Sequence, residues 1–141
     1  MSRTNNLLIA EDNENISRLL EALFTRLGYT ITLCANGLDA LDAFKSSSPD
    51  LLVTDIRMPG LDGIELADAV REIDVQTPVL FLSGSLDEED VAVRLRRELE
   101  MNPRSSFLRK PFSIQDLALK VEMMLRMKKS PATLPSSTAI S

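Results

Sequence analysis

The chain has 141 residues, a formal net charge of -5, one cysteine and no histidine. That length suffices for one domain with a real core, and the acidic balance excludes a dedicated binder of nucleic-acid phosphates; the basic runs Arg94-Leu95-Arg96-Arg97 and Lys128-Lys129 are short. A lone Cys34 forms no intrachain disulfide and reads as a buried, inert thiol of a reducing compartment. No apolar run approaches the roughly 20 residues that span a bilayer, and the first residues lack the form of a signal peptide, so a cytoplasmic protein is expected, with no membrane partner.

Leu7-Leu8-Ile9-Ala10 is an apolar run of buried-strand type that ends in the acidic stretch Glu11-Asp12-Asn13-Glu14. From Ile16 to Leu27, apolar residues recur at helical spacing (Ile16, Leu19, Leu20, Leu23, Phe24, Leu27), and Gly28 supplies a stop. Tyr29 to Cys34 alternates as a half-exposed edge strand does. Asn36 can cap a second helix carrying Leu38, Leu41 and Phe44. The central stretch is Asp50 to Gly63: the run Leu51-Leu52-Val53 leads to Asp55, then to the turn chemistry of Met58-Pro59-Gly60, and Asp62 with Glu65 forms a capping box for a helix to about Ile73. Pro78 opens a fourth strand, Val79 to Leu82, which ends at Ser83. Ser85-Leu86-Asp87-Glu88 reads as a further capping box, whose acidic first turn and following Arg94, Arg96 and Arg97 suit the helix dipole. Phe107-Leu108 is a short fifth strand leading to Lys110-Pro111, and Ser113 with Asp116 starts a last helix to about Lys128.

Five apolar strands alternating with five helical patterns predict an α/β fold with a parallel sheet covered on both faces. In such sheets, sites lie beyond the carboxyl ends of the strands. Glu11, Asp12, Asp55, Ser83 and Lys110 all fall there. Three carboxylates at one site repel one another, which calls for a hard divalent cation with oxygen ligands, Mg²⁺ being the natural occupant.

The set Glu11-Asp12, Asp55 with Met58-Pro59-Gly60, Ser83 and Lys110-Pro111-Phe112 closely resembles the receiver domain of two-component response regulators, over roughly Asn6 to Lys128. The resemblance implies a flavodoxin-like doubly wound (βα)5 sheet of strand order 2-1-3-4-5, occupying residues 1–128, with 129–141 as a disordered tail or linker. It further implies that Asp55 is the phosphoacceptor and that Mg²⁺ is held by Glu11, Asp12, Asp55 and the main-chain carbonyl of Arg57. Ser83, Lys110 and Phe107 would bind the phosphoryl group or switch, while Arg57 and Ser85 would modulate dephosphorylation. The implied partners are a sensor histidine kinase or histidine phosphotransfer protein, and a downstream target or second copy on the face of helix 4, strand 5 and helix 5. The expected role is a signalling phosphoacceptor rather than an enzyme acting on other substrates. Three features depart from the usual pattern: the Met101 to Ser106 segment lacks the common Gly-Ala, Arg57 stands two after the acceptor, and Phe107 replaces the commoner Tyr.

Two rivals fail on the first loop and on motif content. Glu11-Asp12-Asn13-Glu14 would repel a flavin phosphate, and no G-x-x-x-x-G-K-[ST] is present. The alternative that remains is a pseudo-receiver that binds proteins without being phosphorylated. In the last helix, Ile114, Leu117, Ala118, Val121, Met124 and Leu125 form the expected core face, leaving Leu119, Met123 and Met127 as an outward row.

Overall fold

The computed structural model describes residues 4–84 and 89–133, with side chains in the last helix described as far as Arg126. Five strands, β1 (Asn6–Ala10), β2 (Thr30–Cys34), β3 (Leu51–Asp55), β4 (Val79–Ser83) and β5 (Ser105–Arg109), alternate with helices α1 (Glu14–Arg26), α2 (Gly37–Ser47), α3 (Gly63–Ile73), α4 (Glu89–Met101) and α5 (Ile114–Thr133). All strand pairs are parallel, in the order β2-β1-β3-β4-β5. This is the doubly wound, flavodoxin-like arrangement expected from the sequence.

The strands read as continuous apolar runs because both faces of the sheet are covered. Leu8, Ala10, Leu52, Val79 and Phe81 pack on one side with Phe44 of α2, Leu66 and Val70 of α3, and Val91 and Leu95 of α4. The alternate residues Leu7, Ile9, Leu51, Val53, Leu80 and Leu82 face the other way, against Leu20 and Phe24 of α1 and Leu117, Val121 and Met124 of α5. Each such buried Leu, Ile or Phe contributes about 1.5–3 kcal/mol relative to exposure, which fixes the register and with it the position of every strand end. The edge strand β2 is only half buried, and Cys34 with it, so the expectation of a fully buried thiol is corrected. Burial, followed by the neighbouring Asp39 charge, still raises the Cys34 thiol above its ordinary pKa.

The helix starts follow the capping signals. Asn13 accepts from the Ile16 N–H at 3.1 Å, Asn36 from Asp39 at 2.8 Å, and Asp62 with Glu65 closes a full capping box. Ser113 Oγ accepts from the Asp116 N–H at 3.0 Å. Ile114 is corrected: it is exposed, because at the first turn of α5 it lies short of the sheet. Leu119 and Met123 point outward as expected, whereas the Met127 side chain lies outside the described residues. The helix itself runs to Thr133, past the expected end near Lys128. The Ser85 to Glu88 capping box also lies outside the described residues.

Candidate functional site

Parallel pairing places the ends of β1, β3, β4 and β5 side by side. Asp55 is the last residue of β3 and is in register with Leu82, while Ser83 is in register with Arg109, one residue before Lys110. Two backbone bonds extend the ladder beyond the strands and seat the functional residues: Ile56 N–H donates to the Leu82 carbonyl at 3.2 Å, and Lys110 N–H to the Ser83 carbonyl at 2.8 Å. At the opposite flank, the Glu11 N–H donates to the Cys34 carbonyl at 3.0 Å.

The loop after Asp55 turns sharply. Gly60 has φ of +77°, a conformation that a Cβ would strain. Gly63 starts α3 so close to the sheet that a Cβ there would collide with the Asp55 carbonyl oxygen. Its N–H donates to the Ile56 carbonyl at 2.8 Å, clamping the start of α3 against the end of β3. The glycine therefore sets where the Asp55 carboxylate emerges.

One carboxylate oxygen from each of Glu11, Asp12 and Asp55 lies within 4.8 Å of the others. Glu11 is 2% exposed and Asp55 9%, while Asp12 faces solvent. Lys110 Nζ lies 3.2 Å from Glu11 Oε1 and 3.3 Å from Asp55 Oδ2, so it bridges the two buried acids. The other oxygens accept backbone donors: Glu11 Oε2 from Asn13 N–H at 3.1 Å and Asp55 Oδ1 from Ile56 N–H at 2.8 Å. Burial first, then the Asp55 charge, pushes the Glu11 carboxyl above its ordinary pKa, against the opposing pull of the Asn13 N–H and Lys110. One lysine cannot neutralise three acids. The donor set, all oxygen with a residual negative charge, fits a hard divalent cation.

Ser83 is buried at the end of β4. Phe107, in register with Phe81, is half buried and lines an apolar groove of about 360 Å³ with Ala92, Leu95 and Leu99 of α4. Arg57 is exposed on the loop after Asp55. Ser85 lies outside the described residues. The structure thus brings together Glu11, Asp12, Asp55 and Lys110, with Ser83 next to Lys110 through the backbone; Phe107 stands farther along β5.

Sequence reasoning missed a cavity of about 470 Å³ beside this cluster. Asp12, Arg57, Met58, Asp62, Asp90 and Arg94 contribute to its wall. Arg94 reaches across from α4 to Asp62 Oδ2 at 2.8 Å. The helix-dipole reading accounted for Arg94 without a partner, and only the packing of α4 against α3 reveals one.

The family model of the response regulator receiver domain matches residues 7–122. The response regulator receiver protein CpdR of Brucella abortus (strain 2308) is 35% identical over 119 residues, covering 84% of this chain and 95% of that protein. The Regulator of RpoS of Escherichia coli (strain K12) is 39% identical over 94 residues, 67% of this chain, and the match spans only 28% of that protein. Among solved structures, a response regulator receiver protein from Sinorhizobium medicae WSM419 aligns with a TM-score of 0.75 at 29% identity, covering 89% of this chain and 98% of that one. The chemotaxis protein CheY4 of Vibrio cholerae shares the fold, with a TM-score of 0.76 at 23% identity over 86% of this chain and 99% of that one.

Proposed function

The chain belongs to the response regulator receiver family, and from that premise we propose that it is a working phosphoacceptor in which Asp55 takes a phosphoryl group from a phosphohistidine of a sensor kinase or phosphotransfer protein. The observation that carries this reading is the cluster of Glu11, Asp12 and Asp55 with Lys110 bridging Glu11 and Asp55. A pseudo-receiver has no need to keep three repelling acids at a strand edge.

Each residue has a task that follows from its position. Asp55 Oδ2, the oxygen beside Lys110, attacks phosphorus in line as the bond from phosphorus to the histidine nitrogen breaks and the imidazole leaves, the N–H of Ile56 holding the other oxygen and fixing the carboxylate plane. Lys110 is placed to shift from the carboxylates to the transferring oxygens, whose charge it offsets. Glu11, Asp12, Asp55 and the Arg57 carbonyl would hold Mg²⁺, which when bound supplies charge neutralisation of the phosphoryl group. Ser83 then hydrogen-bonds the new phosphoryl oxygens. Phe107 turns inward from the groove beside α4, and the α4/β5/α5 face changes shape for a downstream target or a second copy. Arg57 and Ser85 stand in sequence two residues beyond the acceptor and two beyond the switch hydroxyl, and neither is a carboxylate or amide suited to orient an attacking water, so self-dephosphorylation is slow.

The domain extends through α5 to Thr133, so residues 129–133 belong to its last helix and not to a tail or linker, and it works in the cytoplasm. It catalyses only its own phosphotransfer and dephosphorylation. The test is incubation with acetyl phosphate and Mg²⁺, reduction of the acyl phosphate with borohydride, and peptide mass spectrometry. Modification at Asp55, lost completely in Asp55→Asn, is the expected result. No modification of the wild type, or equal labelling of the variant, would overturn the reading in favour of a phosphorylation-independent binding module.

A further inference from the structure

Helix α4 is tied to α3 at two levels. Near its C-terminal end, Glu98 is ion-paired with Arg71 of α3, both side chains less than a tenth exposed. One turn earlier, near the middle of the helix, Arg94 Nη2 pairs with Asp62 Oδ2 at 2.8 Å, the two side chains being 38% and 22% exposed. Asp62 does two jobs here: its other oxygen, Oδ1, accepts the Glu65 N–H at 2.8 Å and caps α3.

Arg94 also lines the 470 Å³ cavity that opens beside the acidic cluster, since Asp12 belongs to both. Asp12, Asp62, Glu65 and Asp90 outnumber Arg57 and Arg94 in its wall, so an arginine in the resting protein finds an acid on every side. A half-exposed ion pair of this kind contributes little and is readily exchanged. Asp55 does not itself line the cavity, but the next residue, Ile56, does, so a phosphoryl group on Asp55 would bring about -1.5 to -2 charges and three strong acceptor oxygens to its edge. The planar guanidinium fork matches phosphate geometry better than it matches one carboxylate oxygen.

Building on the reading of Asp55 as phosphoacceptor, we propose that Arg94 is a positioning residue of the phosphorylated state: it leaves Asp62, turns across the cavity to the phosphoryl oxygens, and draws the N-terminal half of α4 toward the site. The buried Arg71–Glu98 pair, which costs far more to separate, holds the other end, so α4 swings rather than detaches. Asp62 acts as the competitor that keeps Arg94 parked until the phosphoryl group arrives.

The two partners of one ion pair therefore carry opposite predicted effects; since their charges alone would give the same signs, the double variant decides, and an Asp62→Asn effect that persists when Arg94 is alanine would overturn the inference. Affinity for beryllofluoride, a stable mimic of the aspartyl phosphate, is measured by isothermal titration calorimetry in saturating Mg²⁺. Arg94→Ala should bind more weakly by about tenfold or more, in line with loss of one charge-assisted contact. Asp62→Asn retains an oxygen for the α3 cap but releases Arg94, and should bind severalfold more tightly. Arg94→Lys should fall between wild type and Arg94→Ala, and Asp62→Asn should have no effect once Arg94 is alanine. Shifts of the same sign in Arg94→Ala and Asp62→Asn, or none in either, would overturn the inference while leaving the acceptor role intact. Failure of the wild type to bind beryllofluoride would instead overturn the acceptor role, and this inference with it.

Discussion

Buried charge occurs at both edges of the sheet, and the two edges treat it differently. At the amino-terminal edge, Arg71 of α3 meets Glu98 of α4; Ser105 of β5 accepts from Arg71, and Asn102 donates to a Glu98 carboxylate oxygen at 3.0 Å. Arg71 and Glu98 oppose each other directly, the Asp68 carboxylate also acts on Arg71 from α3, and neutral side chains take up further hydrogen-bonding capacity. At the carboxyl edge three acids lie together, and one lysine bridges two of them, Glu11 and Asp55. The lower cluster is complete in itself and joins α3, α4 and β5 as a structural tie. The upper one is left with more acids than Lys110 can neutralise, a surplus that a cation would relieve. An incomplete charge balance, rather than burial alone, is what marks a site for chemistry.

The sharpest way to break this contrast is at the lower edge. Arg71→Met leaves the Glu98 carboxylate buried without its counter-charge and should lower unfolding stability by about 3–5 kcal/mol, whereas Arg71→Met with Glu98→Leu should recover most of that loss. Urea unfolding measures both. Equal losses in the single and double variants would show that the pair is not a self-neutralising unit.

At the upper edge, removing the cation should have the reverse character. Lys110→Ala is expected to keep or tighten Mg²⁺ binding, because the carboxylates then depend on the metal alone. Its phosphorylation should slow by about tenfold or more for want of a charge on the transferring oxygens, and the phosphorylated variant should fail to alter the α4/β5/α5 face. Amide hydrogen exchange of α4 and β5 with and without beryllofluoride reports the switch; wild-type protection changes in the variant would refute the role of Lys110.

The smallest effect concerns Glu11. A carboxyl whose folded-state pKa is raised contributes stability that is fully present below its ordinary value of 4.5 and is lost as pH rises through the raised value. Glu11→Gln carries no charge at any pH and keeps an oxygen for the Asn13 N–H. In EDTA the variant should therefore have the higher melting midpoint at pH 7, with the advantage disappearing below pH 4.5. A variant less stable than wild type at pH 7 would show that the Lys110 contact outweighs the repulsion.

The upper edge was legible in the sequence because apolar runs such as Leu51-Leu52-Val53 end directly in the residues that matter, and parallel topology carries every such end to one place. The caps at Asn36, Asp62 and Ser113 were legible for a local reason: donor and acceptor lie three residues apart. The lower tie was not. Arg71 and Glu98 sit on separate helices, and each looks like a solvated surface charge until α3 and α4 pack together. The same holds for Arg94, whose charge suited the dipole of its own helix while its partner was the cap of another. Ile114 fits the apolar period of α5, yet its place at the first turn leaves it beyond the reach of the sheet.

The contrast between the edges is tested most directly by the Mg²⁺ dependence of Asp55 phosphorylation, followed with acetyl phosphate in wild type, Asp12→Asn and the Arg71→Met, Glu98→Leu double variant. The predicted result is a saturable rise in the wild type that falls to background in EDTA, a requirement for about tenfold more Mg²⁺ in Asp12→Asn, and a wild-type curve in the double variant. Undiminished phosphorylation in EDTA, or an Asp12→Asn curve that overlies the wild type, would contradict it.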